Sequence, residues 1–270
     1  MRTCLSRIVG PLAGLLFFAN LSAAQDAVNA PTATEEVANS DLKEPTDPTI
    51  LTRRVWFETE WNKFRDGSSV FEETLGTLWA WRVSADQDFA VRLKVPFKFR
   101  VGSDDPAISD IGGFGDMKIA AGSAIRLAKD FRIGGGLDLE MPTGRHELSD
   151  NFWRIQEFVA FAWDITPWLT FSPSAEYNQS FAEEGSTQPA HFLESFIPFT
   201  FILPQKWAIA VGYENKADFE NDNYVTNRAK VLVAKELENV PLSFVLSAKR
   251  DFDSGEKEFQ VNFAITYFFR

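Results

Sequence analysis

The chain has 270 residues with 27 basic and 38 acidic side chains, a net charge of −11 at pH 7, and this acidity argues against nucleic acid as a general partner. A single cysteine, Cys4, leaves no disulfide frame, and two histidines, His146 and His191, leave few parts for an enzyme. Length alone would allow one large domain or two small ones.

Arg2 and Arg7 precede an apolar run from Ile8 to Leu21, which closes on Ser22-Ala23-Ala24. That run of about 14 residues is short of the roughly 20 that a membrane-spanning helix needs. Its charged start and small-residue exit are those of a secretory signal, so residues 1–24 are expected to be cut off after Ala24, taking Cys4 with them. Residues 25–50 carry Asp26, Glu35, Glu36, Asp41, Glu44 and Asp47 among Ala, Thr, Pro and Asn, with one basic residue, Lys43. They read as an acidic flexible tail, or as a plug folded back into a lumen.

From residue 51 to residue 270 the pattern changes to segments of about ten residues, apolar at every second position. In the third segment Phe89, Val91, Leu93, Val95, Phe97, Phe99 and Val101 alternate with Ala90, Arg92, Lys94, Pro96, Lys98 and Arg100. The last repeats this, with Phe259, Val261, Phe263, Ile265, Tyr267 and Phe269 against Gln260, Asn262, Ala264, Thr266 and Phe268. Strands are predicted near 54–64, 70–83, 88–101, 115–127, 131–141, 152–163, 168–180, 190–202, 206–215, 224–235, 241–250 and 258–269. Twelve two-faced strands and no apolar helix predict an all-β transmembrane, antiparallel up-and-down barrel.

The links after even-numbered strands are tight, as in Ala128-Lys129-Asp130, Ile165-Thr166-Pro167 and Leu203-Pro204-Gln205, while most others are longer and polar. Short turns belong to the periplasmic side and longer loops to the outside. Trp81, Trp163, Trp168 and Trp207, with Tyr267 and Phe269, then form an inner aromatic girdle. Two features strain the pattern. Glu157 falls on the apolar face of strand six, where either a bulge shifts the register, the favoured expectation, or a carboxylate meets lipid at a cost that would favour protonation. Pro96, Pro173 and Pro198 each remove a ladder hydrogen bond from a predicted strand.

The C-terminal alternation ending in an aromatic residue resembles the signal by which outer-membrane proteins are recognised for assembly, although Arg270 follows the aromatic. Gly115-Asp116 leading to Arg126-Leu127, and Met141-Pro142-Thr143-Gly144, resemble the outer-membrane transporter family associated with meta-pathway phenol degradation. The resemblance covers roughly Arg54 to the end. It implies an outer-membrane barrel with a transport role, in contact with outer-membrane lipid and with the barrel-assembly machinery through the last strand.

Strands spaced about 4.8 Å apart and tilted about 40° give a barrel roughly 24 Å across, with roughly 10 Å or less left inside. The inward set includes Arg92, Lys94, Lys98, Arg100, Lys118, Arg126, Arg132, Arg154, Arg228, Lys230 and Lys249, facing Glu58, Glu60, Glu72, Asp138, Glu140, Glu176, Glu194 and Glu214. Two readings stay open: a basic-walled path for a small anionic or aromatic solute, or an internal salt-bridge network that closes the barrel. On the first, passage is passive and needs no cofactor or metal. On the second, the protein is a structural or adhesive barrel acting through its outer loops. Ala120, Gly122, Ala124, Gly134 and Gly136 form a bare inner patch that either eases curvature or leaves a gap for the solute or for the tail, whose carboxylates would meet Arg92 to Arg100. Gly112, Gly113 and Gly115 do not make a phosphate cradle, because no helix follows them. His191 and Ser195 share a face, but about 14 Å of strand separates them, too far for a nucleophile and its base. A hydrolase built on the loop histidine His146, with Glu147 and Asp150 beside it, is the third reading.

Overall fold

The computed structural model describes residues 43, 45–101, 111–183, 189–220, 224–252 and 257–269. The expected signal segment and most of the acidic tail lie outside the described residues. Twelve strands follow in chain order: β1 (Arg54–Phe64), β2 (Ser69–Arg82), β3 (Gln87–Val101), β4 (Ile111–Phe114 and Met117–Ala128), β5 (Phe131–Met141), β6 (Phe152–Thr166), β7 (Leu169–Phe171 and Ser174–Glu183), β8 (His191–Leu203), β9 (Trp207–Asp218), β10 (Tyr224–Glu236), β11 (Leu242–Asp251) and β12 (Lys257–Phe268). Each pairs antiparallel with its neighbours in sequence, and β1 closes the sheet on β12 from Arg54 opposite Phe268 to Phe64 opposite Lys257. Closure leaves no edge strand, the one way a sheet can satisfy its backbone groups in hydrocarbon.

The side-chain period of two fixes what each face meets. Phe57, Trp61, Phe71, Leu75, Phe97, Ile119, Leu137, Phe161, Val211, Val231, Leu246 and Phe263 are exposed on the outside, an apolar surface that a protein in water would bury. Their neighbours in sequence face inward. Trp81, Trp163, Trp168, Trp207, Tyr267 and Phe269 are exposed at the short-turn end, where the sequence places a girdle, and Trp61, Phe71, Phe99 and Phe181 stand toward the other end. Rings pair within these belts, as Trp81 with Phe89 and Trp168 with Phe201.

Three local departures have physical causes. The fourth strand begins at Ile111, ahead of the expected 115, because Ile111–Phe114 extends the ladder along β3 before Gly115-Asp116 interrupts it. The seventh strand is broken at Ser172-Pro173, where proline cannot donate to the ladder. Pro96 and Pro198 are held within continuous strands, and their carbonyls accept the N–H of Gly115 and of Ser172. A register shift does occur on β6, but between Trp153 and Arg154. It leaves Glu157 on the outer face, opposite Leu137 and Tyr177, so the expected rescue of this carboxylate by a bulge is not what happens.

Glycine permits the closest approach of strands β4, β5 and β6. A Cβ on Gly136 would lie 2.3 Å from the carbonyl oxygen of Ala121 and 2.7 Å from both Gly122 Cα and the Phe158 ring, whereas one on Gly113 would meet nothing closer than 3.5 Å. Gly136→Val is therefore expected to destabilise the folded barrel by about 1–3 kcal/mol through overpacking against backbone, and Gly113→Ala to leave it unchanged. Urea unfolding in detergent, followed by the heat-dependent gel mobility of a folded barrel, checks this, and equal midpoints for the two variants would refute it.

Candidate functional site

The inner wall is built from the even-numbered positions of β1 to β10 and β12 and the odd-numbered ones of β11. Their charges are largely arranged in pairs. The Arg92 guanidinium donates to Asp138, and Lys98 stands 3.9 Å from Glu72. Lys118 (3.0 Å) and Arg154 both bind Glu140, and Arg154 also reaches Asp150 at 3.5 Å. A second network joins Arg228 to Glu214 (2.9 Å), Asp251 (2.8 Å) and Glu194 (3.4 Å), and Lys249 to Glu214 at 2.9 Å. Glu58 accepts from the Asn262 amide, and Glu60 from Gln260 at 2.6 Å. Such pairing is what a narrow, poorly hydrated lumen requires, since an uncompensated charge there carries a large desolvation cost.

Not every cation is neutralised in this way. Lys94 and Lys230 have no carboxylate within ion-pair distance among the described residues, and each ammonium stands over an aromatic ring, Lys94 over Trp56 at 6.0 Å and Lys230 over Phe196 at 4.7 Å. Arg100 and Arg126 also lack a carboxylate partner among the described residues, and Arg126 is exposed beside the β4–β5 turn. Of the cations predicted along β3, two are thus paired and two are not.

Residues 43 and 45–50 lie against the inner wall near the short turns. Lys43 donates to Asp164 at 2.7 Å, and Asp47, fully buried, receives Arg132 at 2.8 Å. Arg132 also reaches Asp164 at 3.1 Å and the Thr49 hydroxyl at 3.2 Å. Thr46 shares a hydrogen bond of 2.6 Å with Thr200, and its carbonyl accepts the Ser172 hydroxyl at 2.9 Å. Arg132 therefore holds the segment at its Asp47, a different anchor from the Arg92 to Arg100 row.

The bare patch of small residues is filled from two sides. A Cβ on Gly122 or Gly136 would meet the Phe158 ring, at 3.1 and 2.7 Å, and one on Gly134 would touch the Thr49 methyl at 3.4 Å. The same device recurs twice, since Gly76 lies beneath the Trp56 ring and Gly212 beneath that of Phe196. Each ring covers a glycine on the neighbouring strand, a recognised way of stabilising glycine within a sheet.

Between segment and wall is a cavity of about 410 Å³. Pro45, Thr46, Pro48, Ile50 and Leu51 line one side, and Leu78, Phe158, Phe196, Arg92 and Lys230 are among the residues opposite. Of the charged residues predicted to face inward, Arg92, Asp138, Glu176 and Lys230 reach it, with Ala120 and Gly122 of the small-residue patch. Phe158 and Phe196 were not singled out, because a phenylalanine at an inward position looks in the sequence like a slip in the alternation.

The histidines are used locally. His146 Nδ1 is 2.9 Å from Asn151 Oδ1 in an outer loop. His191 Nε2 meets the Tyr177 hydroxyl at 2.7 Å and its Nδ1 meets Glu220 at 3.4 Å, so its partners do not include Ser195. Asp116, Glu140 and Asp150 bring carboxylate oxygens within 4.8 Å of one another. These oxygens are engaged by the N–H groups of Gly144 and Asp150 and by Lys118 and Arg154, and so fasten the β5–β6 loop over the break in β4.

No protein-family model matches the chain, and no curated protein does. Solved barrels do match. An outer membrane channel from Pseudomonas putida F1 superposes with a TM-score of 0.70 at 14% identity, over 81% of this chain and 96% of that one. The KdgM porin in complex with disordered oligogalacturonate gives 0.53 at 9% identity over 80% and 99%, and the CymD monoaromatic hydrocarbon channel 0.52 at 6% over 84% and 92%. At these identities the likeness is one of fold, that of outer-membrane β-barrels.

Arg132→Met would leave buried Asp47 without its cation, a loss in the range of about 3–5 kcal/mol for a broken buried pair. The segment should then open more often, and because cleavage of transiently open states follows their population, trypsin should cut after Lys43 at least about tenfold faster. Mass analysis of the barrel fragment measures the rate, and an unchanged rate would show that Arg132 does not hold the segment.

Proposed function

We propose that the protein is a passive outer-membrane channel for a small solute, and that residues 25–50 are its internal plug. The observation that carries the reading is the pairing of Arg132 with a wholly buried Asp47 in a tail segment placed inside a polar-walled barrel. A barrel serving only as scaffold could fill its lumen with side chains alone, as small barrels do. Here a length of backbone lies against the wall near the short turns and borders a cavity. The segment is held by polar contacts to Arg132, Asp164, Ser172 and Thr200, which can exchange with water when it moves.

The charges suit an anion. Arg92, Lys98, Lys118, Arg132 and Arg154 are partly neutralised, while Lys94, Arg100, Arg126 and Lys230 retain positive charge without a carboxylate partner among the described residues. Cations that no carboxylate holds attract negative solutes in a confined space, and flat rings on the wall favour an aromatic body. The resemblance to the transporter family linked to phenol degradation agrees with an aromatic solute. Exchange then follows the gradient, with no group transferred and no cofactor.

Thr46 and Thr200 provide a direct test, because their hydroxyl oxygens are 2.6 Å apart and Cys4 is the chain's only cysteine. In T46C/T200C, oxidation should tether the segment and hold single-channel conductance in planar bilayers at or below the wild-type value. Deletion of residues 25–50 should raise conductance several-fold. If the deletion conducts as the wild type does, the plug is refuted; if wild type and deletion are both ion-tight, the channel is refuted.

A further inference from the structure

Above the segment, the cavity brings together features that the ion-pair network does not use. Its walls are formed by small residues, Ala90, Ala120, Ala121, Gly122 and Ala175, with the rings of Phe158 and Phe196 standing out from them. Both rings are backed by glycine, Phe158 by Gly122 and Gly136 and Phe196 by Gly212, so they lie against the wall. Flat rings facing open space are stacking platforms for another planar group.

The polar groups around this space are mostly satisfied. Asp138 receives Arg92 on one carboxylate oxygen and leaves the other buried without a hydrogen bond, while Glu176 accepts from the amides of Gln156 at 3.0 Å and Asn178 at 3.1 Å. Lys230 is different. Its ammonium lies 4.7 Å from the Phe196 centroid and has neither hydrogen-bond acceptor nor carboxylate partner among the described residues. Glu214, Glu58, Glu60 and Lys249 act on this ammonium only through space, with no carboxylate at ion-pair distance, so on the wall of a cavity it can take an anion from outside the protein.

We infer that this cavity is a binding site for a small aromatic monocarboxylate, its carboxylate on Lys230 and its ring against Phe196 and Phe158, with Pro45, Pro48 and Ile50 of the segment as the floor. The inference rests on the channel reading for its biological use, though binding can be measured without passage. The volume is ample: an apolar cavity of about 150 Å³ accommodates benzene, and this one is about 410 Å³. A monoanion suits a wall that already carries the carboxylates of Asp138 and Glu176 better than a dianion would. A solute bound here would also lie on Pro48 and Ile50, so occupancy and movement of the segment are coupled.

The test uses the full-length protein in detergent, with benzoate, acetate, benzyl alcohol and benzylammonium as probes by titration calorimetry. Benzoate should bind at least tenfold more tightly than the others, since acetate lacks the ring, benzyl alcohol the charge and benzylammonium its sign. Lys230→Met should weaken benzoate at least tenfold, while Lys230→Arg, and Lys129→Gln in the exposed β4–β5 turn, should retain it. Heat-dependent gel mobility confirms that each variant is folded. Equal binding of benzoate and benzyl alcohol, or full benzoate affinity in folded Lys230→Met, would overturn the site. Bilayer conductance of the same preparations is a separate readout: benzoate binding in an ion-tight barrel would sustain the site and refute the channel.

Discussion

Closure of the sheet, β1 hydrogen-bonded to β12 along its whole length, is the constraint on which everything else depends. Hydrocarbon offers no partner to a backbone N–H or carbonyl, so the ring of strands must be complete. Once it is complete, the pleat sends alternate residues to two incompatible environments, and the charged and amide side chains away from the rims, with exceptions such as Glu73 and Glu157, are directed to one narrow interior. Crowding follows. Arg92 with Asp138, Lys118 and Arg154 with Glu140, and Arg228 and Lys249 with Glu214 are what a small lumen does with many charges.

Against this background the exceptions carry information. The networks consume most of the carboxylates, yet Lys94 and Lys230 are placed over rings rather than against acids. The rings are not incidental filling, because each occupies the space above a glycine on the adjacent strand. Phe158, Phe196 and Lys230 line a cavity whose remaining side is a segment of the chain's own N-terminal region. The same segment brings Asp47 to Arg132 and Lys43 to Asp164. An ion-pair latch at the short-turn end and a ring-lined cavity above it are two parts of one arrangement.

How much of this could be read in the sequence depended on whether the signal was periodic. The alternation from Phe89 to Val101 and from Phe259 to Phe269 specifies strands, faces and hence the barrel, and the tight even-numbered links orient it. Proline and glycine marked places of irregularity without telling their form: Pro173 breaks β7 while Pro198 is absorbed into β8. Glu157 shows the limit of a rule applied alone, since its strand does shift register, but at Trp153 and Arg154, and the carboxylate stays outside. Partners were not legible at all. Asp138 is 46 residues from Arg92, and Asp47 is 85 from Arg132, in a tail whose carboxylates were expected at the Arg92 to Arg100 row if it entered the lumen. Phe158 and Phe196 were hidden because their meaning lies in glycines on neighbouring strands, a relation created by register.

The most direct examination of the closed, two-faced barrel is fluorescence quenching from both of its sides. Single cysteines at Lys94, Val95, Phe97 and Lys98, labelled with a small fluorophore in lipid bilayers, would be exposed in turn to lipid-borne and water-borne quenchers. The account predicts that labels at Val95 and Phe97 are quenched from the lipid and those at Lys94 and Lys98 from the water. Equal lipid quenching at all four positions, or none at any, would contradict it.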